Sequence, residues 1–210
     1  MQDSRRRLPH RYPQDKWLFL TWHLHGSLPH ALYPPAHQLS DGKAFAWMDR
    51  YLDTTREGPM YLRRQGVAQI VVECWKRGVE WGHYELRAYV IMANHVHVLL
   101  LPKVAPAGLL QSLKGVTARE ANRLWGRTGE SFWQRESYDH GVRDSRELER
   151  IVAHIENNRV KAGLVARAED YRWSSAADGK AAGAETSLGA ARKSACATSL
   201  HPQDNMPCSE

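Results

Sequence analysis

Cysteine is scarce in this chain, and its scarcity excludes two classes of protein at once. The three cysteines among 210 residues, Cys74, Cys196 and Cys208, have neither the short spacing of a zinc site nor the even number of a disulfide framework. A reducing compartment, the cytoplasm, is the expectation. Long apolar runs are missing too: no segment approaches the roughly 18 uninterrupted apolar residues of a membrane helix, and no apolar stretch follows the arginine-rich start Met1–Arg7. Neither secretion nor membrane insertion is indicated. From Gly179 to Glu210 there is no Val, Ile, Phe, Tyr or Trp at all. Such a segment cannot bury enough apolar surface to offset its ordering entropy, so 179–210 reads as a disordered tail and 1–178 as one folded domain.

What is present is positive charge: 29 Lys and Arg against 23 Asp and Glu give +6. Within the tail, Lys180, Arg192 and Lys193 cancel Glu185, Asp204 and Glu210, so the surplus belongs to the folded part and favours a polyanionic partner. Eight Trp and eight Tyr add flat rings on which unpaired bases can stack, although most such rings are core.

The hydropathy pattern predicts a strand over Lys16–Leu24, ended by the proline-rich stretch Pro29–Pro35, then helices over Phe45–Thr55 and Val67–Val79 separated at Gly58-Pro59. Strands over His83–Met92 and His95–Pro102 follow, joined by a tight Ala93-Asn94 turn. A helix over Pro106–Trp125 presents Leu109, Leu110, Leu113, Val116, Thr117, Ala121 and Leu124 on one face, and a strand is expected within Ser131–Val142. Asp144 caps a last helix in a capping-box arrangement with Glu147. On that helix Glu147, His154 and Asn158 fall along one edge of the apolar stripe. This order of elements fits an α+β fold of ferredoxin-like type, an antiparallel sheet sandwiched by helices.

Asn94-His95-Val96-His97 is the most informative run. A strand has a period of two, so His95 and His97 point to the same side while Val96 and Val98 point to the other. Two neutral imidazoles at that spacing can share a divalent cation and so polarise a phosphate oxygen. A second pair, His23-Leu24-His25, shows that the motif alone is weak. The helix edge about 55 residues later could complete the site.

Several ordered segments together resemble the REP-associated tyrosine transposases, members of the HUH (His-hydrophobe-His) single-strand transposases related to those of insertion sequences. They are Met92–Val98, Phe132–His140, Arg143-Asp144, Ile155–Val165 and Tyr171–Ser175, so the resemblance covers roughly residues 14 to 176. It implies a ferredoxin-like fold, a Mg²⁺ or Mn²⁺ cofactor, and a tyrosine that attacks single-stranded DNA beside a hairpin or palindromic repeat. That attack leaves a 5′-phosphotyrosine and a free 3′-hydroxyl, the chemistry of DNA transposition and recombination. His95, His97 and Asn158 match the family's metal ligands. The resemblance further suggests a monomer working at the bacterial nucleoid.

One departure stands out. Where the family has Tyr-Ile-x-x-Asn-Pro, this chain has His154-Ile155-Glu156-Asn157-Asn158-Arg159, so histidine holds the nucleophile's place and Arg159 would let the helix run on. Either covalent catalysis has been lost or another residue substitutes, with Tyr138 the nearest candidate. Three functions stay open: a transposase, a DNA-binding protein without turnover, and a metal-dependent nuclease using water. The expected DNA contacts are Lys114, Arg119, Arg123, Arg135 and Lys161, with Trp133 as a stacking surface.

Overall fold

The computed structural model describes residues 15–29 and 41–178. The tail read over 179–210 lies outside the described residues, as does most of the proline-rich stretch after the first strand.

Alternation builds the sheet. Strand β1 (Leu18–Leu24) sends Leu18, Leu20, Trp22 and Leu24 into one core and Phe19 into another on the opposite face. It pairs antiparallel with β3 (His95–Pro102) on one side and β4 (Trp133–Gly141) on the other, and β3 pairs antiparallel with β2 (Tyr84–Ile91). The resulting order is β2-β3-β1-β4. With one helical crossover between β1 and β2 and another between β3 and β4, this is the ferredoxin-like arrangement. The two histidines therefore stand on a central strand, where both faces are covered.

Two helical layers close those faces. Helix α2 (Gln65–Glu80) buries Val67, Ala68, Val71, Val72 and Trp75, and packs against α3 (Pro106–Leu124) over the face that carries Trp22, Val96 and Val98. Proline at the first turn starts α3 without losing a hydrogen bond. Leu124, expected on its apolar stripe, is 56% exposed at the last residue of the helix. On the other face lie α1 (Asp41–Thr54), through Met48 and Leu52, and α4 (Ser145–Glu156), through Ile151 and Ile155.

Local signals account for the ends. Asp144 Oδ1 accepts the Glu147 N–H at 2.8 Å and caps α4. The return bond of the expected capping box is shifted one residue upstream, since Glu147 accepts the backbone N–H of Arg143 at 2.9 Å. Helix α4 does not run on unbroken as Arg159 suggested. Asn157 interrupts it, and a short α5 (Asn158–Lys161) follows. Beyond this, Ser174 bridges to Val90 and Ile91 N–H donates to Trp173 O at 2.9 Å, so the Tyr171–Ser175 segment covers the outer edge of β2.

A glycine fixes how closely β2 meets α2. Tyr84 hydroxyl donates to Trp75 O at 2.8 Å, which lays its ring over Gly78. A Cβ at position 78 would collide with that ring. Alanine normally stabilises a helix interior by about 1 kcal/mol over glycine. Here the sign should reverse: Gly78→Ala is expected to cost about 1–3 kcal/mol through overpacking, measured by urea denaturation, and a gain in stability would contradict the packing described.

Candidate metal centre

Strand pairing sets the geometry of the site. His97 lies opposite Thr21 and His95 opposite His23 across the β1–β3 ladder, and both β3 histidines are buried. Thr21 Oγ1 lies 2.7 Å from His97 Nδ1 and orients that ring. His95 is fixed more tightly. The Asn94 amide donates through Nδ2 to Leu52 O at 3.0 Å, which turns its oxygen toward His95 Nδ1 at 2.7 Å. An amide oxygen only accepts, so His95 carries its proton on Nδ1 and directs the Nε2 lone pair inward. This is the outer-shell arrangement that metal-binding histidines use.

Helix α1 supplies what the sequence reading missed. Asp49 and Asp53, one turn apart, lean over the histidine pair. Asp49 Oδ1 is 3.1 Å from His97 Nε2, Asp53 Oδ1 is 3.5 Å from His95 Nε2, and the two Nε2 atoms are 3.1 Å apart. Ligand atoms of Asp49, His95 and His97 all lie within 4.8 Å of one another. Burial alone would raise the Asp49 carboxyl, but His97, with His95 and His154, holds it at about 2. Burial, and then the charge of Asp49, pushes Asp53 up to about 6. Burial also holds His95 well below the ordinary histidine range. A carboxylate that stays ionised beside neutral imidazole, with Asp53 Oδ1 and Asn158 Oδ1 buried and without a hydrogen-bond partner among the described residues, is a donor set that fits a divalent cation.

The remaining predicted residues divide. His154 is at the rim, its Nε2 3.4 Å from Asp49 Oδ2, its ring centroid 5.4 Å from that of His97 and its side chain 26% exposed. Burial, then His97, depresses it to about 4, so it is neutral at pH 7. Asn158 Nδ2 lies 3.4 Å from His97 Nε2. Glu147 borders the same side of α4 as His154 but does not reach the cluster: at the start of α4 its carboxylate is engaged by Arg143, Arg150 and His140, and Arg143 above all holds it at about 2. Tyr138 is buried on β4, stacked on Phe45 at 4.3 Å, and lines a cavity of about 640 Å³ that His154 also borders. Arg159 is buried and donates to Ile91 O at 3.0 Å.

Of the expected DNA contacts, only Lys161 lies near the metal centre. Lys114, Trp133 and Arg135 surround a separate cavity by α3 and β4, and Arg119 and Arg123 are exposed on α3. Lys114 Nζ is held by Gln134 O and Arg135 O at 2.7 and 3.0 Å. Trp133 is a core residue, 8% exposed, with its indole N–H given to Thr117 Oγ1 at 2.8 Å and its ring against Trp22. It does not present a stacking face. In the second His-x-His pair the two rings part: His23 is buried on Leu24 O and Ser27, and His25 meets Gln134.

A ferredoxin-like sheet with a buried Asp-His-His cluster thus defines an α+β protein whose donor set could hold a metal ion. Residues 60–158, which run through the histidine pair to Asn158, match the family model described as "Transposase IS200 like". A solved REP-associated tyrosine transposase, bound to a REP hairpin, superposes with a TM-score of 0.51 at 16% identity, covering 83% of this chain and 82% of its own, and shares the fold. A provisionally assigned transposase from Deinococcus radiodurans R1 gives a TM-score of 0.36 at 17% identity, over 71% of this chain and 95% of its own. No curated protein matches the chain. No helix among the described residues is long and apolar enough to cross a membrane.

Metal should stabilise the fold through this cluster. Mn²⁺ at a hundredfold excess over its dissociation constant is expected to add about 2.7 kcal/mol. His95→Ala or Asp49→Ala should remove that increment, whereas His25→Ala should keep it and His23→Ala should lower only the metal-free stability. Calorimetric titration with the opposite dependence would displace the centre to the β1 pair.

The same groups set a pH profile in chelator. His23 and His154 sit at about 4 and His95 is also lowered, against an ordinary 6.5, chiefly through burial. The unfolded chain therefore binds more protons, and their contribution is full above about pH 6.5 and is lost as pH falls toward 4. Asp53, raised to about 6 from 3.8, opposes them over pH 6 to 4. Stability should fall on acidification from pH 7 to 4.5, and more steeply in Asp53→Asn. A flat profile would contradict this assignment.

Proposed function

We propose that this protein is a transposase-family protein that binds single-stranded hairpin DNA and brings one phosphodiester to a Mg²⁺ or Mn²⁺ centre formed by Asp49, His95 and His97, with Asn158 beside it. The carrying observation is the convergence of those ligand atoms on the sheet face, with His154 at the rim where the resemblance expects tyrosine. The solved relative that binds a REP hairpin supports the choice of DNA partner. A domain over 1–178 acting as a monomer at the nucleoid, with 179–210 as an appended tail, completes the reading.

When bound, the ion would polarise a non-bridging phosphate oxygen. Thr21 and Asn94 keep the two imidazoles aimed, and Asp49 supplies the negative charge that holds the ion. His154 is neutral and close, but a histidine that attacked phosphorus would leave a phosphoramidate more labile than a phosphotyrosine. The strand-transfer chemistry of the family is therefore impaired at this position while the grip on DNA is kept. Hydrolysis is the second reading, favoured by the Asp49–His154 pair: an imidazole 3.4 Å from a carboxylate is placed to take a proton from attacking water.

Labelled single-stranded hairpin DNA, incubated with Mn²⁺ and run on a denaturing gel, tests these roles. Wild-type protein is expected to form no stable adduct. His154→Tyr, which places a phenol at the rim of the metal cluster, should gain a metal-dependent adduct. A robust wild-type adduct mapped to Tyr138 would overturn the reading, and cut DNA with both ends free would select hydrolysis.

A further inference from the structure

Beside the metal centre lies a cavity of about 800 Å³ whose near wall holds Asp49, His154 and Asn158. The rest of its charged lining is mostly cationic. Arg50, Arg56, Arg63, Arg159 and Lys161 face only two carboxylates, Asp49 and Asp53, a surplus of three positive charges before any ion binds. Two other cavities among the described residues do not compare. Around the α3–β4 cavity Lys114 and Arg135 face Glu130, and in the Tyr138 cavity Arg143 and Arg150 are both tied to Glu147.

The charges in this lining are poised rather than spent. Among the described residues no carboxylate pairs with Arg56, Arg63 or Lys161, all exposed at the mouth. Arg159 lies deeper, 6% exposed, where one edge of its guanidinium is fixed by Ile91 O and the Tyr171 hydroxyl and its plane lies 4.1 Å from the Tyr171 ring. Its Nε is buried without a hydrogen-bond partner. An unpartnered N–H of a buried cation is costly, and an anion satisfies it. Burial, with Arg63 as a smaller contributor, lowers the guanidinium's pKa, a penalty that a bound phosphate would relieve. Met60 and Leu164 add an apolar surface to the same cavity. The volume is that of a small-ligand site, too small for a duplex and sufficient for an extruded nucleotide.

We propose that this cavity seats one unpaired nucleotide of the bound DNA strand, in the single-stranded flank next to the phosphate at the metal centre. Its phosphate lies against Arg63, Arg159 and Lys161 and its base against Met60 and Leu164. The proposal rests on the DNA-binding reading above and assigns a subsite to it. Arg159, at the position where the resemblance expects proline, then acts as the buried anchor of that subsite.

Fluorescence anisotropy with the full chain tests it, comparing a hairpin that carries a 5′ or 3′ single-stranded extension with the same hairpin blunt. Wild-type protein should prefer one extended form about tenfold, and a neutral methylphosphonate at a single flank position should abolish the preference. In Arg63→Glu/Lys161→Glu, which alters only exposed side chains, the ratio of extended to blunt affinity should fall toward one, and the methylphosphonate should have no further effect. Arg159→Gln, checked for folding by its thermal transition, should do the same. Hairpin binding with no flank preference, or a ratio unchanged in the exposed double variant, overturns the subsite and leaves the DNA reading intact. Absence of any hairpin binding overturns both.

Discussion

His95 cannot offer a proton to its neighbours through Nε2, because Asn94 has already claimed the proton for Nδ1. A lone pair therefore points into a dry space that also holds His97 Nε2 and the carboxylates of Asp49 and Asp53. Electron-rich atoms at 3.1 to 3.5 Å in a buried site attract a positive charge strongly, since little water is there to screen it. The rest of the molecule can be read as the frame that holds this space. The β1–β3 register sets Thr21 beside His97, the β2–β3 turn brings Asn94 to Leu52, and that contact draws α1 across the sheet with its two aspartates.

The same frame holds the side chain at position 154. The His154 ring meets Phe19 and Phe45 edge-on at about 6 Å, in a setting that suits an aromatic side chain. Arg159 adds a buried cation whose charge reaches His95 and Asp53 and which ties α5 to the end of β2 and to Tyr171.

Much of the fold was legible because its signals are local. Alternation in Leu18–Leu24 and His95–Pro102, the apolar stripe of α2 and the Asp144 cap each arise from neighbours in sequence, and a sheet of antiparallel strands between helices follows from their order. That His95 and His97 share a face needs only the strand period. Asp49 and Asp53 were not legible, since nothing in Asp41–Thr54 says which sheet face the helix will cross. Their one signal, acidic residues placed one turn apart beside the apolar Phe45, Met48 and Leu52, is weak by itself. Helical spacing puts Glu147 and His154 on one side of α4 but does not reveal that Arg143 captures the Glu147 carboxylate, nor that the helix breaks at Asn157 before Asn158. Trp133 was read as a surface ring because alternation cannot tell a stacking platform from a core indole whose N–H meets Thr117.

The central claim is that His95 and His97 turn Nε2 toward a shared cation held by Asp49. Long-range ¹H–¹⁵N NMR of the imidazoles, in chelator and then with a diamagnetic divalent ion (Mg²⁺, with Zn²⁺ as a tighter-binding substitute), tests it most directly. The account requires His95 protonated on Nδ1 in the metal-free protein, and joint movement of the His95 and His97 Nε2 signals on titration, lost in Asp49→Ala. Protonation of His95 on Nε2, or a response confined to His23 and His25, would contradict it.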